Sequence, residues 1–297
     1  MENQHNNNKL IDLRGQIDQI DNQIITLLNQ RMGIVAKVGE LKRSNGEKFF
    51  IKSAREADMI KNLIEKAHEN QESSPLIPKS VIVSIWRKII TSANNLEQEI
   101  KIAFHNPGQK YNSCHHILRE YYADFIPIHD YSSSTNTIAA IEKNSAQIGI
   151  FTLSDMENKN DDLDHWWINM AASQSGLKVF AKIPFIHYQK NHGEITEDLF
   201  AVAIKNAEKS LDDKSLLLVE LDKEFSSHLL AKSFTNVGLK AKIIKQAKIK
   251  EIRNINFYLV EIEGFFEAED EKIKSLSKSR IKPHVKIIGH YPTPILL

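Results

Sequence analysis

The chain has 297 residues, 41% hydrophobic and 26% charged, and its 39 basic and 38 acidic side chains leave a formal net charge of +1. That balance carries no electrostatic footprint for nucleic acid or an anionic membrane, and no apolar run approaches the length of a membrane span. The single Cys114 excludes an internal disulfide and a thiolate-rich metal site, and the polar start MENQHNNN lacks the apolar stretch of a signal peptide, so a cytoplasmic protein of two or three domains is expected.

From Leu10 to Lys42 the apolar residues recur at helical spacing in two interleaved heptad rows. Leu10, Ile17, Ile24 and Val38 form one; Leu13, Ile20, Leu27, Ile34 and Leu41 form the other. No proline interrupts them, which predicts one helix roughly 50 Å long. A stripe of that length exceeds what a small domain can bury, and the usual solutions are a coiled coil or an interlocked dimer. Arg31 fills the slot between Ile24 and Val38 where an aliphatic side chain is expected. Lys42, three turns on, shares that face with Arg31, Val35 and Val38. Two cations on the buried side of a helix require anions to meet them. Acids on a packed neighbour would serve, as would a Lys42 that reaches solvent at the helix end. The sharper alternative is a pocket built for a small dianion.

After the polar link RSNGEK and an apolar patch at Phe49, Phe50 and Ile51, a second helix is predicted to open at an N-cap Ser53, with Glu56 completing a capping box. Ile60, Leu63, Ile64 and Ala67 are its apolar face. A third helix, Lys79 to Glu97, should bury Ile82, Ile85, Trp86, Ile89, Ile90 and Ala93. Residues 1–99 are therefore expected to form an all-helical domain.

In that order, LRGQIDQIDNQIITLLNQRMGIVAKVGELK, AREADMIKNL and IWRKIITSANNLEQ resemble the all-helical class of chorismate mutases. The resemblance implies an intertwined homodimer with two equivalent active sites. It implies an isomerase of aromatic amino-acid (phenylalanine and tyrosine) biosynthesis that rearranges chorismate to prephenate. No cofactor or metal is implied, because the catalyst only holds the diaxial conformer of a dianion and stabilises charge building on the breaking ether oxygen. Carried over residue by residue, Arg31 and the other chain's Arg14 clamp the two carboxylates, and Lys42 binds the ether oxygen and a carboxylate. Glu56 accepts a hydrogen bond from the ring hydroxyl, with Arg55 just outside it. Ser92 or Ala93 takes a position that is often serine, and Glu97 stands where many members carry glutamine, and some glutamate, as a second donor to the ether oxygen. Blander roles stay open: Arg14 could pair with Asp18 one turn on, and Glu56 could serve only the capping box. Lys52 departs from the family, near where some members carry an acid. A carboxylate has no proton to donate, so Glu97 must be neutral in that role. Activity should then fall as rising pH ionises it, and Glu97→Gln should flatten the fall.

From 100 to 212 the texture alternates. KIAF, FIPIH, QIGIFTL, LKVFAKIPFI and FAVAI read as strands, with helices near Cys114–Tyr122, Thr137–Lys143 and WWINMAASQSG, which predicts an α/β layer with a largely parallel sheet. FHNPGQKYNS, AQIGIFTL and MAASQSGLKVFAKIPF resemble parts of a prephenate dehydratase domain in reduced form. That family's threonine-arginine-phenylalanine triplet is missing, and the nearest stretch, ITEDLF, has no arginine, so dehydratase activity is not expected. His105, His115, His116 and His129, with Cys114, follow no metal-ligand spacing. Trp166 and Trp167 read as core residues, and SSSTNT as turn and N-cap residues.

Residues 213–297 run strand, helix, strand, strand, helix, strand, the ferredoxin-like βαββαβ order, with Gly238 placed to stop the first helix. With the ending IIGHYPTP, this stretch resembles an ACT-type regulatory domain, which implies pairing between copies. DKEFSSHLL and KQAKIKE replace the loops by which such domains bind amino acids. The expected fold class is thus multi-domain, α and α/β: a mutase domain at 1–99, a reduced dehydratase-like α/β region at 100–212 and an ACT-like domain at 213–297. Rival readings are a bifunctional mutase–dehydratase, an enzyme eliminating pyruvate from isochorismate, and a catalytically inactive regulatory subunit.

Overall fold

The computed structural model describes every residue except 1, 70–75, 107, 109–111, 154–163, 188–196, 250, 251, 253 and 297. Most of the acidic linker SDMENKNDDLD, part of the loop HNPGQKYNS and the first two residues of ITEDLF therefore lie outside the described residues. The chain divides into two compact units, residues 1–50 with 92–99, and residues 51–91 with 100–297.

The first unit is helical. Its α1, Glu2–Ser44, is 43 residues long, about 65 Å at 1.5 Å per residue. It begins earlier than Leu10 because no glycine or proline stands between Glu2 and Leu10 to stop it. In the single chain both heptad rows face solvent: Leu10, Leu13, Ile17, Ile20, Ile24, Leu27, Ile34 and Leu41 are all exposed. The unit is completed by the last turns of α3, Lys79–Glu97. Among the described residues, no helix is long and apolar enough to cross a membrane.

The second unit is built on a mixed nine-stranded sheet. β1 (Ile102–His105), β2 (Ile128–Tyr131) and β3 (Ile148–Thr152) are parallel, linked by α4 (Asn112–Tyr122) and α5 (Ser134–Glu142). α6 (Trp166–Ala172) leads into β4 (Leu177–Ile183), followed by the short β5 (Ile186–His187) and then β6 (Leu199–Ile204). β6 lies antiparallel between β3 and β4, so the largely parallel sheet expected from sequence is only partly realised. Antiparallel neighbours need no crossover connection, and the sequence between Ile183 and Leu199 carries no apolar repeat at helical spacing.

The βαββαβ order appears as β7 (Asp213–Asp222), α7 (Ser227–Asn236), β8 (Ala241–Lys248), β9 (Ile255–Glu263), α8 (Glu271–Ser277) and β10 (His284–Pro292). β11 (Ile295–Leu296), which the sequence pattern did not single out, pairs with β5. The sheet order is β2-β1-β3-β6-β4-β10-β7-β9-β8, so the strands on either side of residue 212 share one sheet. The seam is a parallel pairing of β10 with β4 at Gly289 and Val179. A Cβ at Gly289 would collide with the backbone of Val179, which is why glycine stands there. Gly238 adopts φ +70° where α7 ends, as its position predicts.

Strand alternation distributes the core. On β7, Leu216 and Leu218 join Trp166, Trp167, Phe200 and Tyr291 under α6, while Leu217, Val219 and Leu221 join Leu230, Phe234 and Leu276 under α7 and α8. Both faces are covered, which explains the unbroken apolar run SLLLVEL. Trp166 and Trp167 are core residues as expected, and the Ser133 hydroxyl caps α5 by accepting from the Asn136 amide.

The helix α2 (Ser53–His68) and the first part of α3 belong to this second unit. Ala57, Ile60, Ile64, Ile82, Val83 and Ile90 pack with Phe185, Tyr121 and Ile295. Two local expectations fail. Ser53 is the first helical residue rather than a cap, Lys52 holds the cap position, and no side chain caps the helix. On α3, Ile85 is 42% exposed whereas Val83, Arg87 and Thr91 are buried. The row Val83, Arg87 and Thr91, at i, i+4 and i+8, is covered in place of Ile85, with Arg87 and Thr91 contacting Tyr121 at the end of α4.

Candidate active site

In the first unit, Lys42 and Glu97 meet. The Lys42 Nζ forms an ion pair with Glu97 Oε2 and donates to the Phe50 carbonyl at 2.9 Å, 5.5 Å from the centre of the Phe50 ring. Two features that sequence reasoning missed make this possible. A Cβ on Gly39 would lie 3.2–3.4 Å from three atoms of Glu97, so a glycine on α1, one turn before Lys42, lets the end of α3 approach closely. Arg43 Nη1 donates to the Glu97 carbonyl at 2.8 Å, tying a cation to the C-terminal end of α3. Ala93, one turn earlier on α3, is buried, as is Glu97.

Arg31 is half-buried on α1, and Arg14 on the same helix is exposed. The 28 residues between Arg14 and Lys42 correspond to roughly 42 Å along a helix axis. Within one chain, the helix therefore keeps Arg14 away from Lys42 and Glu97.

In the second unit Glu56 is buried near the start of α2, and its Oε2 accepts from Arg87 Nη1 at 2.9 Å. The guanidinium of Arg87, itself 6% exposed, lies 3.8 Å from the centre of the Tyr121 ring at the end of α4. Burial works against the charge of Arg87, but Tyr121 and Glu56 outweigh it and raise its pKa above the ordinary guanidinium value. Glu56 thus serves an ion pair rather than a capping box, because a buried guanidinium without a counterion is the costlier alternative. Neighbouring Arg55 is exposed, and Lys52 pairs with Glu208 at 3.6 Å. The one sequence signal for Arg87 was its place four residues after Val83 and four before Thr91, a row of α3 parallel to the apolar one.

The histidines separate. His105 Nε2 lies 3.1 Å from Asp164, whose carboxylate also accepts from the Ser134 amide and hydroxyl. Burial alone would raise the pKa of Asp164, but hydrogen bonds from His105 and Ser134 bring it below the ordinary aspartate value. His115 instead pairs with Asp130 at 3.0 Å. Among the described residues, no three His, Cys, Asp or Glu side chains converge as metal ligands.

Residues 13–98 match the family described as chorismate mutase type II. The bifunctional chorismate mutase/prephenate dehydratase of Aquifex aeolicus (strain VF5) is 25% identical over 175 residues. That match covers 59% of this chain and 46% of the relative, so the chain is aligned with less than half of the relative's length. Among solved structures, a prephenate dehydratase from Streptococcus mutans is similar over 67% of this chain and all of its own, at 20% identity and a TM-score of 0.42. GqqA, described as a novel type of quorum quenching acylase, is similar over 65% of this chain and 94% of its own, at 16% identity and a TM-score of 0.46.

Proposed function

We propose that the protein is a chorismate mutase, rearranging chorismate to prephenate in aromatic amino-acid biosynthesis. The observation that carries this reading is the family match over residues 13–98, which spans every position that the motif assigns to the substrate. Arg31 and Lys42 bind the dianion, with Arg14 supplied by a second copy. Glu56 accepts from the ring hydroxyl, with Arg55 just outside it. Ala93 lines the site, and Glu97 donates to the ether oxygen. The reaction is pericyclic, so the protein's share is orientation and electrostatic complementarity to the transition state, with no cofactor.

The Lys42–Glu97 ion pair refines the role of Glu97. Without substrate, Glu97 is the counterion of Lys42. A bound dianion replaces it, leaving Lys42 to face the ether oxygen and requiring Glu97 to take up a proton before it can donate. Glu97→Gln, which donates through its amide without taking up a proton, should keep chorismate turnover, whereas Glu97→Ala, which cannot donate, should lose most of it. Equal rates for the two variants would remove Glu97 from this role.

The exposed rows of α1 support an intertwined homodimer. Covering them recovers about 25 cal/mol for each Å² of apolar surface removed from water, and it brings in the Arg14 that one chain cannot place. A charge in the seam, Leu27→Glu, should give monomers in sedimentation equilibrium and abolish turnover. Active monomers would contradict a shared site.

Residues 213–297 are proposed to be an ACT-like pairing domain, on the strength of the order β10-β7-β9-β8. Residues 100–212 are proposed to be a dehydratase-like region without that activity, because ITEDLF lacks the arginine of the family triplet. A single assay tests both halves of the reading. The purified protein should consume chorismate, monitored by absorbance, and yield prephenate that becomes phenylpyruvate only after acid treatment. Phenylpyruvate before acid would establish a bifunctional enzyme, and no consumption would overturn the mutase reading.

A further inference from the structure

We infer that Tyr121, in the α/β region, is a positioning residue for Glu56, acting through Arg87; this inference rests on the mutase reading and adds a role for the region that follows the helices. Glu56 lies in the first turn of α2, and its bond to Arg87 Nη1 spans 2.9 Å. Arg87 is on α3, and its guanidinium stacks at 3.8 Å on the ring of Tyr121. Its Nε has no hydrogen-bond partner among the described residues. The plane of the guanidinium is therefore set by two contacts, the carboxylate on one edge and the tyrosine face beneath.

The stack is itself anchored. Lys88 Nζ donates to the Arg119 carbonyl at 2.7 Å, and Thr91 Oγ1 to the Tyr121 carbonyl at 3.4 Å. Both acceptors lie in the last turn of α4, whose carbonyl end attracts cations; the Arg119 carbonyl also accepts from the Ala123 amide at 3.0 Å. Tyr122 supports the ring from the side, its centroid 4.8 Å from that of Tyr121. A rigid helix end thus holds an aromatic face, the face orients a fork, and the fork fixes the carboxylate that the mutase reading assigns to the substrate hydroxyl. A planar fork over a ring transmits orientation in a way that a point charge would not.

The test uses the full-length chain and four variants: Tyr121→Leu, Tyr121→Phe, Glu56→Gln, and the double variant Tyr121→Leu/Glu56→Gln. Tyr121→Leu removes the face and should lower kcat/KM for chorismate about tenfold. Tyr121→Phe keeps the face and should restore most of the rate. In the Glu56→Gln background, where the charged partner is gone, Tyr121→Leu should have little further effect, because residues acting in series are non-additive. If Tyr121→Leu fails to fold, as read by circular dichroism, Arg87→Lys replaces it in the same cycle. A full-rate Tyr121→Leu, or an undiminished loss in the Glu56→Gln background, would overturn the inference while the mutase reading stands. A natural protein that leaves chorismate untouched overturns both.

Discussion

Arg31→Ala should lower chorismate turnover by about a thousandfold, the scale seen when a single preorganised charge-stabilising donor is removed. Arg31 is the cation in an otherwise aliphatic heptad row and is half-buried on the face that also carries Lys42. A guanidinium there offers two parallel N–H donors to one carboxylate, which fixes the orientation of the substrate as well as its charge. Arg31→Lys keeps the charge but not the fork, and should recover only part of the loss. A stability measurement distinguishes this from general damage. Arg31 is only half-buried on its helix, so the alanine variant should melt within a few degrees of the natural protein. A variant that retains its rate, or one that loses it only by unfolding, would count against Arg31 as the carboxylate clamp.

The second large effect concerns the sheet. Glu261 on β9 is buried and receives Lys214 Nζ at 2.7 Å and the Tyr291 hydroxyl, with Lys182 Nζ 3.7 Å away. Lys182 lies on β4 and Tyr291 on β10, so this one carboxylate binds groups from both sides of the β4–β10 seam. Glu261→Ala should cost about 1–3 kcal/mol, because it removes the charge-assisted bond from Lys214 and leaves the buried Tyr291 hydroxyl without its acceptor, while Lys182 keeps Asp198 at 2.9 Å. That is roughly a 5 °C fall in melting temperature for a chain of this size. Burial by itself pushes the Glu261 carboxyl up. The hydrogen bonds from Lys214 and Tyr291 and the charge of Lys182 outweigh that and hold it below the ordinary glutamate value. A lowered folded pKa means that this stabilisation is complete above the unfolded value of about 4.3 and is lost as the pH falls through the folded one. Glu261→Gln should therefore flatten the acid limb of the stability curve in urea titrations. An unchanged acid limb would show that Glu261 is not the titrating group.

The helical half of the candidate site was readable because its signals are local. The heptad rows, the intruding Arg31 and the phase of Lys42 all follow from a fixed rotation of 100° per residue. Glu97 was placed by the family motif, since the next step of the α3 row falls between Leu96 and Glu97. Gly39, Arg43 and Arg87 could not be placed. A glycine on α1 acquires meaning only when Glu97 approaches within van der Waals range of it. A buried arginine is indistinguishable from an exposed one until Glu56 and Tyr121 are seen beside it. The capping box at Ser53 fails for a related reason. The pattern is local, but a distant guanidinium competes for the same carboxylate and wins.

The sheet divides along the same line. Each strand of the nine-stranded sheet was visible in its own alternation or apolar run, and the βαββαβ order followed from element succession alone. Strand pairing is non-local, so the direction of β6 and the seam between β4 and β10 were decided elsewhere. The seam depends on whether two backbones can close on each other at Gly289 and Val179, and on whether Lys182, Lys214 and Tyr291 converge on Glu261. The sequence by itself determined the elements, the helical face that carries the cations and the family of the first hundred residues, because periodicity and motif act over a few turns of chain. The tertiary structure alone decided which helices belong with the sheet and which residues hold Glu56 in place, because those depend on contacts between side chains 30 or more positions apart, such as Glu56 with Arg87 and Arg87 with Tyr121.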